Sequence, residues 1–301
     1  MEKTVTIHRT KMPMIEYING NYRVKIYRDG TKKRISTEES PKPVFPETID
    51  LKITNNCDLD CPMCHENSHF KGKHGNINLK FLQSLKPGME VAVGGGNPLS
   101  HPIFDTLCEM LHEKQCIMNL TIHQNHLMKN MTKIHRLIRE SKIYGIGISI
   151  TKLNKELIDF CEQHSSAVIH VIAGIITYEE LLALAKYHMK VIILGYKNVG
   201  RGKQFYSNTV EKNITDLKKH LANSLRSFNV LSFDQLALEQ LEVQKHVPKH
   251  VWNKYYLGEE GQFSMYIDLV EEKFAVSSST KQRFKIMDSI EEMFNRVQTS
   301  I

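Results

Sequence analysis

The sequence predicts an α/β fold with a parallel sheet covered by helices. Three observations predict it. From residue 47 onward, short apolar or alternating runs recur as strands. Amphipathic segments at helical spacing stand between them. Proline, glycine and cap-forming residues mark the joints at short, fairly even intervals.

The elements follow in chain order. ETIDLKIT (47–54) alternates as a strand, and NLKFLQSL (78–85) has helical spacing that stops at Lys86-Pro87-Gly88. EVAVGGG (90–96) is a strand running into glycines, and HPIFDTLCEMLHEK (101–114) is an amphipathic helix with Pro102 near its start. CIMNLTIH (116–123) and IYGIGISI (143–150) read as strands, with KNMTKIHRLIRES (129–141) helical between them. NKELIDFCEQH (154–164) is helical and AVIHVIAGI (167–175) is a strand. TYEELLALAKYH (177–188) opens with Thr177 and has Glu180 three residues on, a capping-box pattern. KVIILGY (190–196) is a sixth strand. Apolar strands alternating with amphipathic helices give a parallel sheet. Spacing alone leaves an open doubly wound sheet and a curved, barrel-like sheet as alternatives. In both, functional loops gather at the C-terminal ends of the strands.

The flanks differ from this core. Residues 14–36 hold two strand-like runs, with Asn19-Gly20 and Asp29-Gly30 as turn signals, and SPKPVFPE (40–47) is a proline-rich linker. VEKNITDLKKHLANSLRSF (210–228) reads as one long helix, FSMYIDLVEEKFAVSSS (263–279) as a hairpin turning near Glu271-Glu272, and MDSIEEMFNRVQ (287–298) as a last helix. The expected organisation is an N-terminal β-hairpin extension (1–45), a core (46–235) and a C-terminal extension (236–301).

Composition narrows the function. The 301-residue chain is 41% hydrophobic and 24% charged, ordinary for a globular protein with a real core. Its longest apolar run, AVIHVIAGII (167–176), is too short to span a bilayer, and the N-terminus lacks an apolar signal segment. A cytoplasmic location is expected. The net charge of +7 is spread among acidic residues, without the basic and aromatic interleaving of a nucleic-acid groove. Cys108, Cys116 and Cys161 are isolated and read as buried small hydrophobes.

The exception is CDLDCPMC (57–64), where Cys57, Cys61 and Cys64 are spaced C-x3-C-x2-C. Three thiolates suit iron or zinc. Structural zinc takes four closed ligands, and the candidate fourth, His65, adjoins Cys64 and would have to fold back. A [4Fe-4S] cluster on three cysteines leaves one iron open.

This triplet, on the loop after the first strand, resembles the signature of the radical S-adenosylmethionine superfamily. Gly94-Gly95-Gly96-Asn97-Pro98 stands after the second strand, where that family carries a GGEP-like segment. Ser149 ends the fourth strand, where the family often places a polar side chain on the ribose. LGYKNVGRG (194–202), containing Gly195, resembles the segment near the adenine.

The match covers about residues 47–202 and implies a partial (β/α)6 TIM-like barrel. It implies one [4Fe-4S] cluster on Cys57, Cys61 and Cys64, with S-adenosylmethionine on the open iron. One electron through the cluster cleaves the cosubstrate to methionine and a 5′-deoxyadenosyl radical, which removes hydrogen from substrate. Two departures stand out. Met63 precedes the third cysteine where an aromatic residue is usual, and Asn97 stands where a Glu is frequent.

The same residues leave other readings: a zinc module using His65, a cluster-binding protein without chemistry, and a redox carrier recruiting Cys108 or Cys116. The substrate is expected to be a peptide or protein. The alternative is a nucleotide or small anionic metabolite, favoured by net charge and by Lys197 and Arg201. Gln124 or Asn125 is expected to bond S-adenosylmethionine, with His123 a further polar candidate on the same rim. A flavodoxin- or ferredoxin-type donor is expected to meet the basic residues Lys71, Lys73 and His74. The N-terminal hairpin is a candidate edge strand for an extended peptide.

Overall fold

The structure is a computed structural model, and it describes residues 12–27, 30–38, 40–256 and 258–301. The N-terminal residues 1–11 and Asp29 of the expected Asp29-Gly30 turn lie outside the described residues.

Strands β1 (Ile15–Asn19), β2 (Tyr22–Ile26) and β3 (Lys32–Ser36) form a small antiparallel sheet, one strand more than the two expected. It docks on the N-terminal ends of the core strands through one buried carboxylate. The Tyr22 hydroxyl donates to Glu47 Oε1 at 2.6 Å, Arg34 Nε donates to the same oxygen at 2.7 Å, and Lys32 bridges Glu47 and Glu90 at 3.1 and 2.7 Å. Burial alone would push the Glu47 carboxyl up; the Arg34 bonds and the Lys32 charge hold it below its usual range.

The core strands are β4 (Thr48–Thr54), β5 (Glu90–Gly95), β6 (Ile117–His123), β7 (Gly145–Ser149), β8 (Ala167–Ile172) and β9 (Val191–Leu194), all parallel. Two further strands extend the expected six. Strand β10 (Leu231–Phe233) lies parallel to β9, and β11 (Ser264–Asp268) lies parallel to β4. The expected hairpin is present: β11 turns into β12 (Lys273–Ala275), which pairs with β13 (Phe284–Lys285). Among the described residues the result is a ten-stranded, mostly parallel sheet in the order β10-β9-β8-β7-β6-β5-β4-β11-β12-β13.

Alternation along the strands explains how the sheet packs. Ile49, Leu51 and Ile53 of β4, Val91 and Val93 of β5, and Leu120 and Ile122 of β6 are at most 2% exposed and face the helices. Their neighbours in sequence face the other side, which is polar.

The helices are α1 (Phe104–Glu113), α2 (Gln124–Lys129), α3 (Met131–Arg139), α4 (Lys155–Gln163), α5 (Tyr178–Ala185), α6 (Arg201–Phe205), α7 (Asn208–Lys219), α8 (Leu221–Ser227), α9 (Gln235–Gln240), α10 (Lys249–Tyr255) and α11 (Ile290–Gln298). Helix α1 buries Phe104, Leu107, Cys108 and Leu111, the stripe expected of an amphipathic helix. The Thr177–Glu180 capping box is formed at α5. Two expectations change. Residues 78–85 give only a 3-10 turn, Lys80–Ser84, because Leu79 supplies no side-chain cap and Pro87 follows closely. The long helix breaks at His220, whose ring stacks on Tyr178 of α5 at 4.4 Å.

The sheet curls. Arg201, after β9, contacts the loop after β4, five places away in the sheet, and Lys197 contacts Ser278, after β12, seven places away. A flat sheet cannot make either contact. Among the described residues no pairing joins β10 to β13, so the curl does not close into a full barrel. No helix is long and apolar enough to cross a membrane among the described residues.

Candidate functional site

The loops after β4, β5, β6 and β7 share one rim, as parallel strands dictate. Thr54 pairs with Gly95, and His123 pairs with Ser149, so the four segments start level with one another.

The cysteine loop is a series of turns. Cys57 is buried, Cys61 and Cys64 are half-buried, and all three are free thiols. The Cys57 N–H donates to the His69 carbonyl at 3.0 Å, and the Cys64 N–H to the Cys61 carbonyl at 3.2 Å. Burial pushes the Cys57 and Cys61 thiols up, and the neighbouring thiols add to it, while Arg201 opposes. Thiols pushed up in this way are held as thiolates when a cationic metal binds them. This soft, all-sulfur donor set fits an iron–sulfur cluster.

The competing ligand sets do not assemble. His65 Nε2 turns to Glu66 Oε1, 3.4 Å away. Cys116 precedes β6 at the opposite end of the sheet, with its thiol on the Lys86 carbonyl, and Cys108 is enclosed in the core by α1. Cys57, Asp58 and His126 do bring one ligand-type atom each within 4.8 Å of one another. His126 is 1% exposed and its Nε2 lies 2.5 Å from Asp58 Oδ1. That contact with His126 lowers the Asp58 carboxyl to about 2.

The glycine segment divides by role. A Cβ on Gly95, at φ +114°, would meet the Thr54 carbonyl at 2.4 Å, and one on Gly96 would meet the Asn56 carbonyl at 2.3 Å. These two let β5 pack against the start of the cysteine loop. A Cβ on Gly94 would meet nothing closer than Thr121 Cβ at 3.5 Å, so this glycine leaves room on the polar face. Asn97 Oδ1 accepts from Leu99 N at 3.2 Å and caps the 3-10 turn begun by buried Pro98.

The remaining candidates separate. Gln124 is 3% exposed; its Oε1 accepts from Thr151 N, Thr151 Oγ1 and Lys152 N, and its Nε2 donates to the Lys152 carbonyl at 2.7 Å. It therefore ties the loop after β7, just beyond Ser149, to the end of β6. His123 Nδ1 accepts from Asn125 N at 3.1 Å and caps α2, while the Asn125 side chain is exposed. Ser149 is half-buried at the rim. The Gly195 N–H donates to Asp234 Oδ1 at 2.8 Å, and a Cβ there would meet Leu236 Cγ at 2.4 Å. Lys197 donates to Ser278 Oγ at 2.6 Å. Arg201 serves the cysteine loop: Nε donates to the Cys61 carbonyl at 3.0 Å and Nη2 to the Ser68 carbonyl at 2.9 Å.

The polar face of the sheet carries residues that the sequence reading missed. Lys52 of β4 bridges Glu66 at 2.7 Å and Asp268 of β11 at 2.8 Å, and the Tyr266 hydroxyl donates to Glu66 Oε1 at 3.0 Å. This triad bolts the far end of the cysteine loop to two strands. Burial would raise the Glu66 carboxyl, but His65 and Lys52 together hold it well below the usual range. Asp50, one pleat earlier, presents surface to water yet is ringed by protein, which raises its carboxyl against the field of Lys197. Both properties belong to a side chain inside a concavity. His170 of β8 lies over Gly147, with Nδ1 buried and without a hydrogen-bond partner among the described residues, and burial lowers its pKa to about 4. The signal was the alternation in ETIDLKIT and FSMYID, where charged or polar residues take every second place.

No protein-family model matches the sequence, and no curated protein sequence matches it. Among solved structures, Streptococcus suis SuiB bound to S-adenosylmethionine is similar, with a TM-score of 0.57 at 14% identity, covering 84% of this chain and 66% of that one. SuiB bound to its precursor peptide SuiA gives a TM-score of 0.54 at 15% identity, covering 84% and 65%. The chain thus spans just under two thirds of SuiB's length. It shares its fold with a protein that binds S-adenosylmethionine and a precursor peptide.

Proposed function

We propose that the protein is a radical S-adenosylmethionine enzyme that modifies a peptide or protein. One observation carries this reading: a loop with three free cysteines and no fourth sits where the loops of a curled parallel sheet converge. In this reading Cys57, Cys61 and Cys64 hold one [4Fe-4S] cluster, and Gly94 leaves space for S-adenosylmethionine. Gly95, Gly96, Asn97 and Pro98 shape that segment. Ser149 faces the ribose, Gln124 holds the loop beyond it, and Gly195 lies near the adenine. When bound, the cluster and its cosubstrate supply a 5′-deoxyadenosyl radical.

A peptide substrate is supported by the likeness to SuiB and by the polar face itself. A small anionic substrate loses the groups that favoured it, because Arg201 holds the cysteine loop and Lys197 holds Ser278. The N-terminal sheet sits at the opposite end of β4, about 20 Å away at 3.3 Å per residue. It caps the core there, so truncating it would bare Glu47.

An electron donor has a suitable landing surface. Phe70 is 71% exposed, Lys71, Lys73 and His74 are exposed beside it, and the Phe70 carbonyl accepts from Asn56 Nδ2 at 2.7 Å, next to Cys57.

The test of the substrate class is isotope transfer. Reconstituted enzyme is given deuterated cell extract separated into peptide and small-metabolite fractions. Deuterium in recovered 5′-deoxyadenosine from the peptide fraction alone supports the proposal. Transfer from the metabolite fraction alone overturns it.

A further inference from the structure

We propose that Arg201 is the positioning residue of the cysteine loop, a clasp that fixes Cys61 and Cys64 for the cluster. This rests on the reading of that loop as a cluster site. Sequence reasoning treated Arg201 as a contact for an anionic substrate, but its donors are spent elsewhere. Nε reaches the Cys61 carbonyl at 3.0 Å, Nη2 the Ser68 carbonyl at 2.9 Å, and Nη1 lies 3.3 Å from Asp60 Oδ1. Its own backbone N–H donates to the Cys64 carbonyl at 3.1 Å. One residue thus meets the second cysteine by side chain, the third by main chain, and the end of the loop at Ser68.

The glycines on either side make the approach possible. Gly200 sits at φ +58°, and a Cβ there would lie 2.4 Å from the His65 carbonyl and 2.9 Å from Asn67 Oδ1. A Cβ on Gly202 would lie 2.5 Å from the Lys197 carbonyl. The Tyr196 hydroxyl donates to the Gly202 carbonyl at 2.6 Å and braces the clasp from behind. The loop after β4 has only isolated turns over residues 57–68, with no helix or strand of its own, so contacts from outside the loop help to set its shape. A planar guanidinium with several fixed donors can hold two carbonyls at once; an ammonium cannot hold them in the same fork. Its charge acts on Cys57 and Cys61, and would favour the more negative, reduced state of a cluster held there.

The test uses full-length wild type, Arg201→Gln, Arg201→Lys and Asp60→Asn, each reconstituted anaerobically with iron and sulfide. Three quantities are measured: iron loss to a chelator, the cluster midpoint potential, and thermal melting of the cluster-free chain. Arg201→Gln is expected to lose iron about ten- to a hundredfold faster, the range for groups that orient metal ligands. Its midpoint should fall. Arg201→Lys should keep the midpoint near wild type but still lose iron faster. Asp60, 79% exposed, should matter little to either.

Equal iron loss and equal midpoints in Arg201→Gln overturn the clasp while leaving the cluster reading intact. Melting that falls in step with iron loss in both Arg201 variants also overturns it, since the residue would then serve the fold in general. If Arg201→Gln does not fold, Arg201→Lys decides by the same comparison. A wild type that takes up no cluster overturns the reading on which the clasp depends.

Discussion

Lys197 donates to the Ser278 hydroxyl at 2.6 Å, although their strands stand seven places apart in the sheet. This contact draws the turn after β12 towards the loop after β9. Hydrogen bonds to charged groups contribute about 1.5–3 kcal/mol. Ser278→Ala is expected to lower stability by roughly 1 kcal/mol, because Lys197 is half-buried and recovers part of its hydration. Lys197→Met should lower stability by a similar amount with iron content unchanged. Urea denaturation and iron analysis check both, and a loss of iron in Lys197→Met would contradict the assignment.

Gly94 and Gly95 should respond differently to the same substitution. Gly95→Ala forces a side chain into a left-handed backbone and onto the Thr54 carbonyl, at a cost of about 1–3 kcal/mol or more. Gly94→Ala meets only ordinary contact and should melt like wild type. It should nonetheless weaken S-adenosylmethionine binding, since its methyl group enters the space left on the polar face. Calorimetric melting and a binding titration separate the two effects.

His170 makes the fold acid-sensitive. Its folded pKa of about 4 lies below the ordinary value of about 6.5. The unfolded chain therefore takes up a proton that the folded chain refuses between these pH values. Stability from this residue is highest above pH 6.5 and declines as pH falls towards 4, by roughly 3 kcal/mol in all. His170→Gln should flatten the stability–pH curve in that window. An unchanged slope would show that the imidazole is hydrated or paired when folded.

Reduction of the cluster by an acidic donor should depend on salt. Lys71 and Lys73 are exposed beside the cysteine loop, so raising ionic strength from 0.01 to 0.15 M, which shortens the Debye length from about 30 to about 8 Å, should slow reduction. Lys71→Glu with Lys73→Glu should slow it further and weaken the salt effect. Stopped-flow reduction by flavodoxin measures this, and a salt-independent rate would point to another docking face.

The sheet was legible because its strands alternate: Ile49, Leu51 and Ile53 announce a buried face wherever they are read. The cysteine loop was legible because three thiols at fixed spacing have few uses. Strand β10 was missed because three residues carry too short a pattern. Arg201 and Lys197 were assigned to substrate because charge on a rim loop looks free in sequence. Their partners, Cys61 and Ser278, are 140 and 81 residues away, and only the curl of the sheet brings them together. The Lys52–Glu66–Asp268 triad was hidden for the same reason, with Asp268 lying 216 residues from Lys52.

The most direct measurement is 5′-deoxyadenosine formation. The protein is reconstituted anaerobically with iron and sulfide, reduced with dithionite and mixed with S-adenosylmethionine and cell extract, and the products are read by mass spectrometry. A variant with Cys57→Ala, Cys61→Ala and Cys64→Ala is the control. Radical cleavage at the three-cysteine loop predicts 5′-deoxyadenosine and methionine from the wild type and neither above background from the variant. A wild type that carries the full cluster and forms no 5′-deoxyadenosine would contradict it.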